Sequence, residues 1–313
     1  MAELLTQSAD LYPIRTVSAI TGINPVTLRA WERRYGLVRP HRTETGHRIY
    51  SARDIDKINR AVLLINKGHS ISLVAQMLER PGESGDAIDV PGGNVWERYR
   101  DRMLTSICAF TEEELDELLN ESLALYSSVV VNRNLIVPVL TELGNRWQAG
   151  TGTVAEEHFF VFYLRNKLGA RFHHHGHRNL GPLLVTACLP GEAHETGLLL
   201  FSLAALDRGY RLVNLGSNMP LNELPRVAKR SGAHGLVLSG RADPGKQLFE
   251  DELPAMVASS PVPVFVGGQI SIDRNASIES GGATSLGDDI ERALTRLDAW
   301  FHSQNTDKQP RRS

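Results

Sequence analysis

The most constraining feature of the sequence is a short stretch between an apolar run and a helical pattern, Leu189-Pro-Gly-Glu-Ala-His-Glu-Thr-Gly197. The run at residues 183–188 predicts a buried strand, and residues 196–206 predict the helix that follows it. In a parallel α/β sheet, the loop after a strand lies at the carboxyl edge, where ligands bind. His194 lies in this loop, two residues after Glu192. We therefore expect the Glu192 carboxylate to orient the His194 imidazole as a metal ligand.

Two later segments end in small residues that belong to the same expected edge. One apolar run ends at Ser239, and another is followed by Gly267 and Gly268. With a flavodoxin-like strand order, the first and third strands are neighbours, so His194 and Ser239 flank one crevice. Gly197 follows the histidine by three residues and leaves room for a large ligand close to the backbone.

These three elements together resemble the cobalamin-binding domain of the methionine synthase type, with its Asp-x-His-x-x-Gly, Ser-x-Leu and Gly-Gly signatures. The resemblance implies that His194 replaces the cofactor's own lower base on cobalt. It also implies that the serine and the glycines make room for the displaced nucleotide tail. Glu192 stands where the pattern has Asp, which keeps the carboxylate. Arg241 stands where the pattern has Leu, and this departure leaves open how the tail pocket is built.

The amino-terminal part of the chain has a charge balance opposite to that of the remainder. Residues 1–80 hold twelve Lys and Arg against seven Asp and Glu, whereas the rest holds 22 against 29. A basic segment on an acidic chain indicates a module that binds a polyanion. Residues 29–53 hold seven arginines against two acidic residues, a density suited to phosphate contacts.

The basic segment also has the pattern of a helix-turn-helix followed by a turn and two short extended pieces. Asn24 is a suitable helix cap, Pro25 suits the first helical position, and Gly36 ends the helix. Trp31 is expected to pack inward from this helix. The polar side chains that the helix displays are Thr27, Arg29, Arg33 and Arg34.

The phrase Thr-Leu-Arg-Ala-Trp-Glu-Arg-Arg-Tyr-Gly-Leu, followed by Arg-x-x-x-Gly-His-Arg-Ile-Tyr, resembles the MerR-type winged helix-turn-helix over residues 12–80. The resemblance implies a recognition helix in the major groove, a wing on the backbone or minor groove, and binding to double-stranded DNA as a dimer. The DNA contacts that it implies are Thr27, Arg29, Arg33, Arg34, Tyr35, Arg42, His47, Arg48 and Tyr50.

Residues 94–168 are predicted to be helical throughout and to form a four-helix bundle. The pattern Thr153-Val-Ala-Glu156 is a capping box that opens the fourth helix. The link before it is short, so Trp147 at the end of the third helix is expected near Glu157 and His158 in the first turns of the fourth.

This spacing, Trp-x9-Glu-His, resembles the helical cap of the CarH-type photoreceptors, which covers the upper face of adenosylcobalamin. The resemblance implies that Trp147 packs near the adenosyl group and that Glu157 helps to hold the site. It further implies that His158 becomes the upper cobalt ligand after the adenosyl group leaves. The spacing taken alone also suits a core tryptophan and an ordinary amphipathic histidine.

Residues 181–302 alternate strand and helix patterns, which predicts a doubly wound parallel sheet of the flavodoxin-like type. The preceding segment has a linker composition and contains His173-His-His-Gly-His177, for which a metal site is a weak hypothesis. Cys108 and Cys188 are expected to be buried free thiols. We see no signal peptide and no apolar run of membrane-spanning length, and we therefore expect a cytoplasmic protein.

The order of the three modules resembles the CarH/LitR group of the MerR superfamily, which implies a multidomain α and α/β protein. The implied function is a transcriptional repressor that binds its operator as a dimer or tetramer and is released when light breaks the cobalt–carbon bond of adenosylcobalamin. One alternative is a light-independent regulator whose cobalamin-like domain senses the vitamin or mediates protein interaction. Another is a corrinoid methyl carrier, against which the winged helix argues. We see no catalytic constellation of side chains and do not expect an enzyme.

Overall fold

The computed structural model describes residues 11–79, 95–175 and 180–307, with backbone only for 173–175 and 304–307. The chain divides into two compact units, Met1–Phe160 and Val161–Ser313. The predicted linker at 80–93 lies outside the described residues, and so do the side chains of the histidine run that begins at His173.

The first unit begins with a small antiparallel sheet and four helices. Its strands lie in the order β1-β3-β2. The α2 helix begins where the sequence predicts, because the side chain of Asn24 accepts a hydrogen bond from the N–H of Val26 at 2.8 Å. Gly36 ends it in the left-handed conformation. The elements are β1 (Leu11–Pro13), α1 (Ile14–Thr21), α2 (Pro25–Tyr35), β2 (His41–Arg42), β3 (Arg48–Ser51), α3 (Ala52–Asn66) and α4 (Ile71–Glu79).

Five further helices follow in the first unit, and the last of them continues into the second. They are α5 (Val95–Cys108), α6 (Glu112–Leu125), α7 (Ser128–Val131), α8 (Val137–Gln148) and α9 (Val154–His175). A π-helical turn, Asn132–Ile136, joins α7 to α8 directly before Pro138. Proline lacks the N–H that would continue the α-helical hydrogen bonds, and the wider turn accommodates this interruption.

The α9 helix is longer than the sequence analysis predicted. It begins at the expected capping box, in which Thr153 and Glu156 exchange side-chain to backbone hydrogen bonds at 3.2 and 3.3 Å. It then continues through Gly169 to His175, although a linker was expected after Leu168. A single glycine within a helix costs only about 1 kcal/mol relative to alanine, which is too little to end a helix that is otherwise well packed.

The second unit contains a five-stranded parallel sheet in the order β5-β4-β6-β7-β8. This is the flavodoxin-like order, and the predicted fold class is confirmed. The remaining elements are β4 (Leu183–Cys188), α10 (Thr196–Asp207), β5 (Arg211–Asn214), α11 (Leu224–Ser231), β6 (Gly235–Ser239), α12 (Leu253–Ser259), β7 (Val264–Gly267), α13 (Gln269–Asp273), α14 (Asn275–Ser280), β8 (Thr284–Gly287) and α15 (Ile290–Asp307).

Helices cover both faces of this sheet. Helices α10 and α15 pack on each other and against the sheet, and every residue from Leu198 to Leu206 is buried. A helix that is apolar on all sides belongs in a core, which explains why α10 shows no amphipathic pattern. Helices α11 and α12 pack with Val185, Ala187 and Leu236 in a separate apolar cluster. Among the residues that the structure describes, no helix has the length and apolar character needed to span a bilayer.

Candidate cofactor site and nucleic-acid interface

The loop between β4 and α10 presents His194 at the carboxyl edge of the sheet. The His194 side chain is 72% exposed, and its Nδ1 lies 2.8 Å from Oε1 of Glu192. The backbone N–H of His194 also donates to Glu192 Oε1 at 2.8 Å. One carboxylate oxygen therefore binds both the backbone and the ring of the histidine.

Glu192 is held by backbone amides of a second loop, the one that follows β6. It is only 4% exposed, and its Oε2 accepts hydrogen bonds from the N–H groups of Arg241 at 2.7 Å and Ala242 at 3.1 Å. Burial alone would raise its pKa, but the hydrogen bonds from Arg241, His194 and Ala242 outweigh burial and lower the pKa to about 2. The carboxylate is ionised near neutral pH and can only accept, so the Nδ1–H of His194 donates to it. In the neutral imidazole, this tautomer places the lone pair on Nε2.

The sheet register brings the predicted site residues to the same edge. Cys188 at the end of β4 pairs with Ser239, and Ser239 pairs with Gly267. Gly268 has a φ of 87°, and a Cβ there would lie 2.4 Å from the carbonyl oxygen of Gly240. Only glycine permits this close approach, which places the end of β7 against the loop after Ser239.

The residues at this edge fit a large ligand that carries its own metal. A Cβ added at Gly197 would meet no atom within 4 Å, so the surface beside the histidine loop is open. Together with the exposed ring of His194, this open surface is compatible with a corrinoid.

Arg241, the departure from the Ser-x-Leu pattern, does not enter the interior of the fold. Its side chain is exposed, and its backbone N–H binds Glu192. The Arg241 side chain therefore takes up no space inside the sheet edge. Cys188 is buried as expected, and burial, reinforced by Glu192 and Glu195, raises the pKa of its thiol to about 12. Cys108, in contrast to the expectation, is only partly buried.

The turn between α8 and α9 carries the second predicted set of residues, in the first unit. Trp147 is 51% exposed near the end of α8, and His158 is exposed in the second turn of α9. The turn is tight, because Gly150 has a φ of 71° and a Cβ at Gly152 would lie 2.9 Å from Cβ of Arg146. Within the described ranges, no side chain forms a hydrogen bond or ion pair with His158 or with Glu157.

The predicted DNA contacts fall into three groups according to their surroundings. Arg29, Arg33, Arg34 and His47 are exposed, and Tyr35 is partly buried. Arg42 and Arg48 in the wing both bind Glu32 of the recognition helix α2, at 3.4 and 2.5 Å. These ion pairs fix the wing against α2. Thr27 and Tyr50 are 2% and 0% exposed.

Burial corrects the interpretation of Thr27 and Tyr50 as DNA contacts. A side chain with no exposed surface cannot reach a base or a phosphate, so both residues support the module from its interior. The sequence pattern did not separate them from the exposed positions, because polar and aromatic residues occur on both faces of such a short helix and wing. The same module is anchored by Trp31, which is 1% exposed and donates from Nε1 to the carbonyl oxygen of Leu125 at 2.7 Å.

This hydrogen bond joins the recognition helix to the end of α6. Next to it, Tyr126 is 3% exposed and lies with its ring centroid 4.6 Å from that of Trp96 in α5. The DNA-binding module and the helices after it are therefore packed together in the first unit. Trp31 was predicted to be buried, but its partner, 94 residues away, was not predicted.

Comparison with known proteins matches both parts of this description. Residues 12–80 match the model of the MerR HTH family regulatory protein, and residues 99–171 match the model of a B12 binding domain. The chain is 31% identical over 282 residues to the HTH-type transcriptional repressor CarH of Myxococcus xanthus, covering 86% of this chain and 92% of that protein. It is also 31% identical over 275 residues to the repressor CarA of the same organism, covering 86% and 91%.

Two further similarities concern parts of the chain. The HTH-type transcriptional regulator MlrA of Escherichia coli is 35% identical over 133 residues, which cover 42% of this chain and 52% of MlrA. The monomethylamine corrinoid protein of Methanosarcina barkeri is similar in structure, with a TM-score of 0.52 and 17% identity over 65% of this chain and 99% of that one. At this identity, the structural similarity concerns the fold alone.

Proposed function

Because the chain belongs to the family of HTH-type transcriptional repressors that includes CarH and CarA, we propose that it is a DNA-binding repressor that senses light through bound adenosylcobalamin. The observation that carries the proposal is the pairing of Glu192 with His194, which orients an exposed imidazole at the open edge of a corrinoid-protein fold. This is a regulator, and no enzymatic step is assigned to it.

Each predicted cofactor residue has a specific role in this proposal. His194 is the lower cobalt ligand, and Glu192 keeps its proton on Nδ1. The space for the nucleotide tail is assigned to the edge formed by Gly197, Ser239 and the two glycines that end β7, Gly267 and Gly268. When bound, adenosylcobalamin would supply a cobalt–carbon bond that visible light cleaves and a cobalt that accepts nitrogen ligands.

The side chains proposed for the upper face of the corrinoid form fewer polar contacts, among the described residues, than those of His194 and Glu192. Trp147 presents a half-exposed aromatic surface suited to packing against an adenosyl group. His158 has no polar partner among the described residues and is available as a cobalt ligand in the illuminated state. Glu157 precedes it in the same helix and is assigned to holding the site.

The basic charge of residues 1–80, with twelve Lys and Arg against seven Asp and Glu, supports DNA binding. Exposed arginines on the recognition helix and a wing fixed by Glu32 suit contacts to the phosphate backbone and to base edges. A single module of this size makes few contacts. We propose that the protein binds its operator as a dimer or tetramer, because linking several modules raises the effective concentration of each for its half-site. Dissociation of that assembly in light lowers the affinity for DNA.

Size-exclusion chromatography in darkness and after illumination tests this function. The protein is loaded with adenosylcobalamin, freed of excess, and run with absorbance recorded across the peak. We expect the corrinoid to co-elute with a large species that becomes smaller in light. Binding without a change of size would instead indicate a light-independent vitamin sensor, and absence of corrinoid would exclude a cobalamin-dependent regulator.

Two histidine variants separate the proposed roles. His194→Ala should lose the corrinoid in darkness, whereas His158→Ala should bind it normally and differ only in the absorbance spectrum after illumination. His47→Ala is the matched control, since this exposed histidine lies in the wing and should not change either spectrum. Undiminished dark binding by His194→Ala would contradict the assignment of the lower ligand.

A further inference from the structure

The loop after β5 contains a residue with an uncommon backbone conformation, Asn218. Its φ is +51°, and among the described non-glycine residues only Phe110 also has a positive φ. Asparagine tolerates this left-handed region better than most residues, because its short side chain can form local hydrogen bonds. Such a conformation persists where the surrounding contacts hold it, and it is frequent at functional sites.

Asn218 binds the loop that carries His194 through both its backbone N–H and its side-chain amide. The backbone N–H of Asn218 donates to the carbonyl oxygen of Glu192 at 3.0 Å. Its side-chain Oδ1 accepts from the N–H of Gly191 at 2.9 Å. Since a backbone N–H can only donate, the Asn218 atom in this contact is its amide oxygen, which fixes the orientation of the amide. Asn218 therefore holds two consecutive residues of the histidine loop.

The contacts of Asn218 complement those made by the loop after β6. The carboxylate of Glu192 is bound by the amides of Arg241 and Ala242, and its carbonyl oxygen is bound by Asn218. Glu192 is thus fixed at its side chain from one neighbouring strand and at its backbone from the other. The imidazole of His194 is attached to this frame through Nδ1.

We propose that Asn218 is a positioning residue for the lower cobalt ligand, an inference that rests on the function proposed above. Asn218 acts through Gly191 and Glu192. Without its two hydrogen bonds, the backbone of Glu192 is held, within the described residues, only by its own N–H bond to the carbonyl oxygen of Leu189. The direction of the His194 ring is then less tightly fixed. Groups that bind a metal ligand directly, as Glu192 binds His194, typically change metal affinity by about 10-fold to 100-fold. Asn218 is one contact further away, so we expect an effect at the lower end of this range.

Three substitutions at this position separate the backbone conformation from the hydrogen bond. Asn218→Asp keeps an acceptor oxygen and tolerance of a positive φ, and should behave like the wild type. Asn218→Gly keeps the backbone conformation but loses the acceptor, and should be intermediate. Asn218→Ala loses both and should bind cob(II)alamin about tenfold more weakly. Asn222→Ala is the matched control, because this exposed asparagine lies four residues further along and does not bind the histidine loop.

The experiment uses the full chain and two measurements. The first is the affinity and electron paramagnetic resonance spectrum of cob(II)alamin bound to protein labelled with ¹⁵N-histidine. Coordination by the protein imidazole gives a doublet splitting, whereas the cofactor's own base gives a triplet. We expect the doublet fraction to fall in the order wild type and Asp, then Gly, then Ala. The second is hydrogen exchange of residues 190–195 without cofactor, which we expect to accelerate in the same order.

The two measurements keep the inference separate from the function on which it rests. If the wild type takes up no cob(II)alamin, the proposed function fails, while the exchange rates still show whether Asn218 holds the loop. Unchanged exchange and an unchanged doublet in both Asn218→Ala and Asn218→Gly would overturn the role of Asn218. The glycine variant keeps the test open if the alanine variant does not fold, since it does not strain the turn.

Discussion

The two histidines assigned to cobalt, one in each unit, have contrasting surroundings. His194 is exposed, but its Nδ1 is bound by a buried carboxylate that three further hydrogen bonds hold in place. His158 is exposed and has no polar partner among the described residues. The difference suggests that a lower ligand is preorganised before the cofactor binds, whereas a ligand that acts only after a signal must stay free until then.

We expect the largest effect from acid, because protonation of Glu192 disrupts the hydrogen bonds that hold His194. The folded pKa of Glu192 is about 2, below its unfolded value of about 4.3. Its stabilising contribution is therefore complete above about pH 5 and is lost as the pH falls toward 2. The difference amounts to roughly 3 kcal/mol of unfolding free energy.

Urea unfolding at pH 7, 5 and 3 measures this contribution for the second unit. The buried thiol of Cys188 reports unfolding when it is labelled with a pyridyl disulfide, which reacts in acid, in a Cys108→Ser background. The wild type should lose more stability than Glu192→Gln as the pH falls, because the amide does not titrate. Parallel pH profiles of the two proteins would contradict an ionised, hydrogen-bonded Glu192.

Glu192 should also control the affinity of the protein for the cofactor. Glu192→Gln keeps the size of the side chain, but its amide nitrogen cannot accept the hydrogen bonds that one carboxylate oxygen accepts now. We expect cob(II)alamin to bind about 10-fold to 100-fold more weakly near neutral pH. Isothermal titration with Glu223→Gln as an exposed control measures the change. Equal affinities of the two variants would show that the orientation of His194 does not depend on Glu192.

In the first unit, the recognition helix α2 is held by the hydrogen bond from Trp31 to Leu125. Trp31→Phe keeps an aromatic ring but removes the donor to Leu125, leaving a buried carbonyl oxygen unpaired. We expect a loss of about 1–2 kcal/mol of unfolding free energy. Trp147→Phe, which changes a tryptophan that is 51% exposed, should cost less than about 0.5 kcal/mol. Equal effects of the two substitutions in urea unfolding would remove the special role of Trp31.

The position of the proposed cofactor residues at one edge of the sheet was predictable from sequence, whereas their roles stay a prediction. His194, Glu192, Ser239 and the glycine pair follow apolar runs, so the strand order alone placed them at one edge of the sheet. The partners of Glu192 other than His194 were missed because they are backbone amides about fifty residues away, and any residue type can supply a backbone N–H.

Other features were missed because they depend on packing between distant segments. The Leu125 carbonyl that binds Trp31 has no sequence signature, and the burial of Thr27 and Tyr50 follows from which face of the module is covered. The position of Asn218 does have a weak signal. Asparagine two residues after glycine, in a loop after a strand, is typical of a turn that requires a positive φ.

We expect the smallest effect on stability and on dark affinity from substitution of His158. His158→Ala removes an exposed ring without a polar partner in the described part of the chain, so the unfolding free energy should change by less than about 0.5 kcal/mol. Dark affinity for adenosylcobalamin should also stay within twofold of the wild type, in contrast to His194→Ala. Urea unfolding and titration in darkness measure the two quantities. A loss of stability or of dark affinity comparable to that of the Glu192 variants would mean that His158 is already fixed in the dark state. The division between a preorganised and a free histidine would then not hold.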